Sequence, residues 1–210
     1  MDCRPLSPGT FELDLGRPPS FRFTPGQTIR LLHGAAMRDY SLTSAGEATR
    51  LTLCIRRVPS GIFSPFLASA PRGTAIPFTG PHGYFVFRPS ERPAIFVATG
   101  TGIAPFASMA RSGTAGFTLL HGVRTPEDLY YQGLFRDKAA AYVPCISGRG
   151  GAAGQVQGSF WGRVTEYVEG HLPVMAYDFY LCGNENMVRE VTFLVDERFP
   201  DSRVYTEIFF

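Results

Sequence analysis

No apolar run in the 210-residue chain is long enough to cross a bilayer, and there is no internal repeat and no low-complexity tract. The N-terminus, Met1-Asp2-Cys3-Arg4-Pro5, is polar and broken by proline, without the basic-then-apolar pattern of a secretory signal, so a cytoplasmic protein with no membrane span is expected. Charge of one sign is also lacking. Twenty Lys and Arg against 18 Asp and Glu leave a net charge of +2, which argues against a dedicated nucleic-acid binder. The four cysteines, Cys3, Cys54, Cys145 and Cys182, form no CxxC pair. A zinc site or a local iron–sulfur cluster is therefore not expected, no metal is called for, and free thiols are the reading.

What is present is an ordinary globular composition, 44% apolar and 18% charged, sized for one large domain or two small ones. The halves differ in texture. Up to about residue 90, short alternating runs at 11–15, 21–23, 27–32, 51–58 and 84–87 are separated by Gly, Pro and Ser, which predicts a small antiparallel β-barrel or sandwich. After the polar, proline-containing stretch 88–93 the rhythm becomes strand then helix. Strands are predicted at 94–97, 117–121, 141–146 and 178–182, and helices at 105–111, 125–140, 160–170 and 186–198. That alternation implies a parallel sheet with covering helices. The glycine-rich stretch 148–158 reads as a mobile loop.

Between the apolar strand at 94–97 and Pro105 lies Thr99-Gly100-Thr101-Gly102. A strand, a tight glycine turn and a helix start bring backbone N–H groups and the positive end of a helix dipole together, an anion site. Packing alone could also account for such a turn. Its company argues otherwise: the predicted strands all end in small or polar residues, at 99–102, 121–124, 147–149 and 182–184, where open parallel sheets bind ligands.

Further motifs follow in order: Arg38-Asp39-Tyr40-Ser41, Gly61-Ile62-Phe63-Ser64, Gly80-Pro81-His82-Gly83-Tyr84-Phe85, the Thr-Gly-Thr-Gly turn, His121-Gly122-Val123-Arg124 with Asp128-Leu129-Tyr130-Tyr131, Cys182-Gly183-Asn184, and Glu207-Ile208-Phe209. This order resembles the ferredoxin–NADP(H) reductase family, most of all its bacterial members, over nearly the whole chain. The resemblance implies an FAD-binding β-barrel domain at 1–90 and an NAD(P)-binding α/β, Rossmann-like domain at 91–210. The N-terminus looks short beside longer members, which implies one barrel strand fewer.

By that resemblance Arg38 meets the FAD pyrophosphate, Tyr40 stacks on the flavin and Ser41 sits near its N5. Arginine's planar fork and an aromatic ring two residues along a strand suit those tasks. Cys54, Ile55 and Arg56 touch the flavin mainly through backbone, and Gly61, Ile62, Phe63 and Ser64 meet the phosphates at a helix start. Ser64 also suits an N-cap before proline, and Tyr40 suits a core aromatic. In the second half Thr99 faces both ligands, Gly100, Thr101, Gly102 and Gly183 line the nucleotide, and Cys182 lies near the nicotinamide. Cys182 equally suits a small buried hydrophobe. Glu207 is the terminal acid, and Phe209 (with Phe210 beside it) covers the flavin face. Ser41, Cys182 and Glu207 form the implied catalytic group. Arg124, Ser147, Arg149 and Arg163 map onto residues that hold a 2′-phosphate, although Arg149 stands one position later than the pattern. NADP(H) is preferred and NAD(H) stays open.

The implied activity is hydride transfer between NAD(P)H and FAD with single-electron exchange to a separate carrier. Ferredoxin, flavodoxin or an oxygenase component all fit. An NADH-dependent oxygenase reductase component, a flavin reductase that releases reduced flavin, and a non-catalytic module of the same fold are the alternatives.

Overall fold

The computed structural model describes residues 1–148 and 156–209. Arg149, Phe210 and most of the glycine-rich stretch named above lie outside the described residues. By contacts the chain divides into two compact units, one of Met1–Phe87 with Ala104–Gly113, the other of Arg88–Ile103 with Thr114–Phe210.

The first unit holds strands β1 (Asp2–Ser7), β2 (Thr10–Gly16), β3 (Thr28–His33), β4 (Ala36–Ser41), β5 (Arg50–Arg56) and β6 (Phe78–His82), and helices α1 (Phe63–Ser69) and α2 (Ala104–Arg111). They form two antiparallel three-stranded sheets, ordered β1-β2-β5 and β4-β3-β6, joined by a bridge between Leu42 and Leu53. The strand alternation sends every second side chain inward. Leu13, Ile29, Leu31, Leu42, Leu51, Leu53 and Leu67 all reach full burial in one core.

The second unit is a parallel six-stranded sheet ordered β10-β9-β8-β7-β11-β12. Its strands are β7 (Ala94–Thr99), β8 (Thr118–Val123), β9 (Ala141–Ile146), β10 (Phe160–Trp161), β11 (Asp178–Asn184) and β12 (Arg203–Phe209). Helices α3 (Gln132–Lys138), α4 (Val164–His171) and α5 (Glu185–Arg198) belong to the same unit. Val164 and Val168 of α4 and Val188, Val191 and Val195 of α5 bury against Val97, Leu120, Phe179 and Leu181 of the sheet. Among the described residues no helix is long and apolar enough to cross a membrane.

Several local expectations are corrected. Residues 21–23 form no strand, because the Arg17 guanidinium gathers the carbonyls of Phe21, Gly46 and Ala48 and holds that segment as a loop. Residues 84–87 form none either; the strand lies earlier, at Phe78–His82, pairing β3 across a bulge. β1 was not foreseen, since Pro5 read as a break. Pro5 sits on the edge of its sheet, where a missing N–H is tolerated. The predicted helix 125–140 is split: a 3-10 turn at Pro126–Asp128 precedes α3, and Tyr131 between them takes φ 59°. Phe160 and Trp161 pair with β9 before α4 begins. Helix 105–111 starts at Ala104 after a 3-10 turn over Gly100–Ile103, and it groups by contact with the first unit. Its Ser108 hydroxyl donates to Ser44 O at 2.6 Å, and Arg111 donates to Thr43 O at 2.8 Å.

Candidate functional site

In the first unit three motifs converge. β4 carries Arg38, Tyr40 and Ser41, which sit opposite Leu31, Ile29 and Thr28 of β3. Arg38 is exposed and donates to Met37 O at 2.7 Å. Tyr40 is half-buried, and its ring lies parallel to that of Phe63 with centroids 6.3 Å apart, which joins the Arg-x-Tyr-Ser motif to the Gly-Ile-Phe-Ser motif. Burial pushes the Tyr40 phenol up to about 12 against the pull of the Arg38 charge, so it stays neutral. Ser41 points to the other face of the strand. It is 3% exposed, and its Oγ has no hydrogen-bond partner among the described residues. Buried hydroxyls are normally paired, so an orphan of this kind marks where a ligand atom belongs.

Cys54, Ile55 and Arg56 end β5. Ile55 is a core side chain, and Arg56 is exposed. Among the described residues β5 pairs with β2 along its length and meets Leu42 through the bridge at Leu53. Gly61 closes a turn by donating to Val58 O. The N-cap of α1 is Ile62, 81% exposed, and not Ser64 as the capping pattern suggested. Ser64 lies inside the first turn, where its hydroxyl accepts from Val58 N at 2.9 Å and so ties down the preceding loop. The residues fit a flavin nucleotide: a hydroxyl orphaned among the described residues, a flat ring and an exposed arginine fork on one strand.

In the second unit the register of the parallel sheet ranks the candidates. Glu207, Cys182, Ala98, His121 and Pro144 stand side by side, and one step on come Ile208, Gly183, Thr99, Gly122 and Cys145. Thr99 Oγ1 accepts from Asn184 N at 2.9 Å, which fastens the Thr-Gly-Thr-Gly turn to the Cys-Gly-Asn turn. Gly183 takes φ 139°, and any Cβ there would run into Thr99 Oγ1. A Cβ on Gly102 would likewise strike Cys182 O, whereas Gly100, at φ 55°, faces open space. Thr101 is half-buried between them. Cys182 is fully buried. Desolvation, then the nearby Glu207 charge, raises its thiol well above the ordinary range, so it is a neutral group. Phe209 is half-buried at the end of β12, opposite Asn184.

Val123, Ile146 and Trp161 form one rank across β8, β9 and β10. Arg124, Ser147 and Arg163 therefore follow three adjacent strand ends. Arg124 and Arg163 are exposed. Ser147 Oγ donates to Val123 O at 3.2 Å, Gly148 N donates to Arg124 O at 2.9 Å, and Glu166 accepts from Arg163 N at 2.9 Å. One group was missed. His121 is fully buried in the Cys182 rank, and the only signal for it was its place at a strand end.

Residues 7–87 match the oxidoreductase FAD-binding domain family, and residues 96–192 match the oxidoreductase NAD-binding domain family. Ferredoxin–NADP reductase B of Sorangium cellulosum (strain So ce56) is 32% identical over an alignment covering 88% of this chain and 84% of that protein. The toluate 1,2-dioxygenase electron transfer component of Pseudomonas putida is 33% identical over 81% of this chain, which spans 53% of that longer relative. A solved ferredoxin NADP+ reductase from Neisseria gonorrhoeae, with FAD and NADP bound, superposes with a TM-score of 0.80 at 25% identity, covering 99% of this chain and 96% of that one. With both domains matched in this order, and most of each partner aligned in the first comparison, the chain belongs to the ferredoxin–NADP reductase family.

Proposed function

We propose that this chain is a flavoprotein reductase that holds FAD on its first unit and NADP(H) on its second, moves hydride between them and exchanges single electrons with a separate carrier protein. The observation that carries the reading is the buried Ser41 hydroxyl, without a partner among the described residues, one residue past Tyr40 on the same strand. Bound FAD supplies the means to accept two electrons as hydride and release them singly.

The chain's own residues do the rest. Arg38 offers a two-pronged donor to pyrophosphate. Tyr40 gives the flavin ring a flat neutral neighbour, and Ser41 gives it a hydrogen bond that no group among the described residues competes for. Cys54, Ile55 and Arg56 at the end of β5 meet the ring mainly through backbone, and the turn at Gly61, Ile62, Phe63 and Ser64 receives phosphate. Gly100, Thr101, Gly102 and Gly183 let the nucleotide approach backbone closely, with Thr99 fastening the two turns. Cys182, held neutral by burial, lines the nicotinamide end without adding charge there. Glu207 stands beside it, and Phe209 at the end of the same strand is the aromatic that the family likeness assigns to the flavin face. Arg124, Ser147 and Arg163 support a 2′-phosphate and hence NADP(H); Arg149, proposed for the same task from the sequence, lies outside the described residues.

A second reading, an NADH-dependent reductase component of an oxygenase, is favoured by the likeness to the toluate dioxygenase component. Ferredoxin, flavodoxin or an oxygenase component remains the candidate carrier. An anaerobic visible spectrum of the purified protein, before and after one equivalent of NADPH, tests the proposal. A flavin spectrum that bleaches is expected. Bleaching by NADH alone moves the reading to the oxygenase type, and a colourless protein that takes up no added FAD overturns both.

A further inference from the structure

The sheet face that carries Arg38 and Tyr40 continues beyond Arg38. In the β3–β4 ladder Ile29 pairs with Tyr40, Leu31 with Arg38 and His33 with Ala36. Strand alternation puts these three ranks on one side of the sheet, each about 7 Å from the next. The third rank presents His33. Its ring lies flat on that of Phe66, with centroids 3.6 Å apart and planes 13° from parallel, and it meets Phe63 at 6.1 Å. Phe63 belongs to the buried core and Phe66 packs against it, so the support beneath the imidazole is fixed. His33 itself is exposed. One face of its ring is covered by Phe66 and the other is open. The surroundings are small: Ala36 opposite ends in a methyl, and the turn between is Gly34-Ala35, with Gly34 at φ 57° and open space where a Cβ would stand. The segment that joins β5 to Gly61, Arg57-Val58-Pro59-Ser60, holds no ring that could serve instead.

We infer that His33, held flat by Phe66, is the surface on which the adenine of FAD stacks, and that it is the residue by which this chain prefers FAD to FMN. The inference rests on the proposed flavin site and extends it by one rank. With the flavin at Tyr40 and the pyrophosphate at Arg38, the adenosine half of the dinucleotide follows the same face to His33. FMN ends at its phosphate and has nothing to place on the third rank. Every base has a π-face, so stacking asks for a flat ring and no particular hydrogen-bond partner. A ring already ordered against a core phenyl loses little freedom when the base arrives.

The test uses the full chain stripped of flavin and titrated with FAD and with FMN, followed by flavin fluorescence. Wild type should bind FAD more tightly than FMN. His33→Ala should weaken FAD binding about 5- to 100-fold and leave FMN binding within about twofold. His33→Phe, which keeps a flat ring on Phe66, should retain most of the FAD affinity. In the wild type, ¹H–¹³C correlation of the histidine rings should show the His33 C–H signals moving upfield with FAD, under the ring current of the adenine, and staying in place with FMN. Equal weakening of FAD and FMN in His33→Ala would assign the residue to the shape of the hairpin and overturn the inference. So would wild-type FAD affinity in that variant, or an unmoved His33 signal in wild-type protein saturated with FAD. Wild-type protein that binds neither flavin overturns the proposed function itself.

Discussion

Ser41 and His121 are both buried polar side chains with an atom unpaired among the described residues, yet they make opposite predictions. Ser41 Oγ has no partner to lose among the described residues. Ser41→Ala should leave the FAD-free protein as stable or more stable by about 1 kcal/mol, since an unsatisfied buried hydroxyl costs more than a methyl. The same change should slow NADPH-driven flavin reduction on the order of 10- to 100-fold, by removing a preorganised hydrogen bond at the reacting ring. Stopped-flow absorbance and thermal melts separate the two effects; a destabilised apo-protein with normal reduction would make Ser41 a structural hydroxyl. His121 speaks through acid. Its folded pKa of about 3 lies below the ordinary 6.5 because burial disfavours the charged ring. The unfolded chain therefore binds a proton that the native chain refuses. The stability present above pH 6.5 is lost as pH falls toward 3, with a slope of up to about 1.4 kcal/mol per pH unit from this group. Urea midpoints from pH 7 to 4 should show that slope in the wild type and its reduction in His121→Gln.

At the scale of elements, α2 shows what a chain pattern conceals. Strand, glycine turn and Pro105 predicted a helix in the right place, but nothing in the run of residues said which core it would join. Ser108, a polar residue amid apolar neighbours in the helix interior, is the device: it is fully buried and donates to Ser44 O at 2.6 Å, and Arg111 at the helix end adds a bond to Thr43 O. Ser108→Ala should destabilise the first unit by about 1–3 kcal/mol, because a buried carbonyl loses its donor, and equilibrium urea unfolding of the FAD-free protein checks this. The parallel strands were legible because burial on both faces demands continuous apolar runs that stop where ligand-binding residues begin. The β1 and β6 strands were not: Pro5 survives on an edge, and Gly80-Pro81 sits in a strand whose register shifts at a bulge. Residues 21–23 alternate as a strand should, but three carbonyls held by one guanidinium outweigh a local preference. The same limit applies to the site. That Arg38, Tyr40 and Ser41 share one strand could be read because their spacing is itself the pattern. The Tyr142–His121 pair could not, because 21 residues separate partners that only the sheet register brings together.

For the molecule as a whole, the question the site leaves to experiment is which nicotinamide cofactor it serves. Arg124, Ser147 and Arg163 follow three neighbouring strand ends, and both arginines are exposed. A 2′-phosphate adds a dianion at the nucleotide's adenosine end and nothing elsewhere, so its recognition should be separable from recognition of the pyrophosphate at Gly100, Thr101 and Gly102. The double substitution Arg124→Ala with Arg163→Ala should raise KM for NADPH about 10- to 100-fold, two charge-assisted contacts being lost, and change KM for NADH by no more than about threefold. The difference should shrink between 50 mM and 500 mM salt, because exposed charges are screened within roughly a Debye length of 4–14 Å over that range. Steady-state kinetics with both donors decide it. A parallel rise for NADPH and NADH would assign the arginines to a group common to both. No change for either, in a protein still reduced by NADH, would favour the oxygenase-component reading, where the 2′ position carries only a hydroxyl and needs no cation.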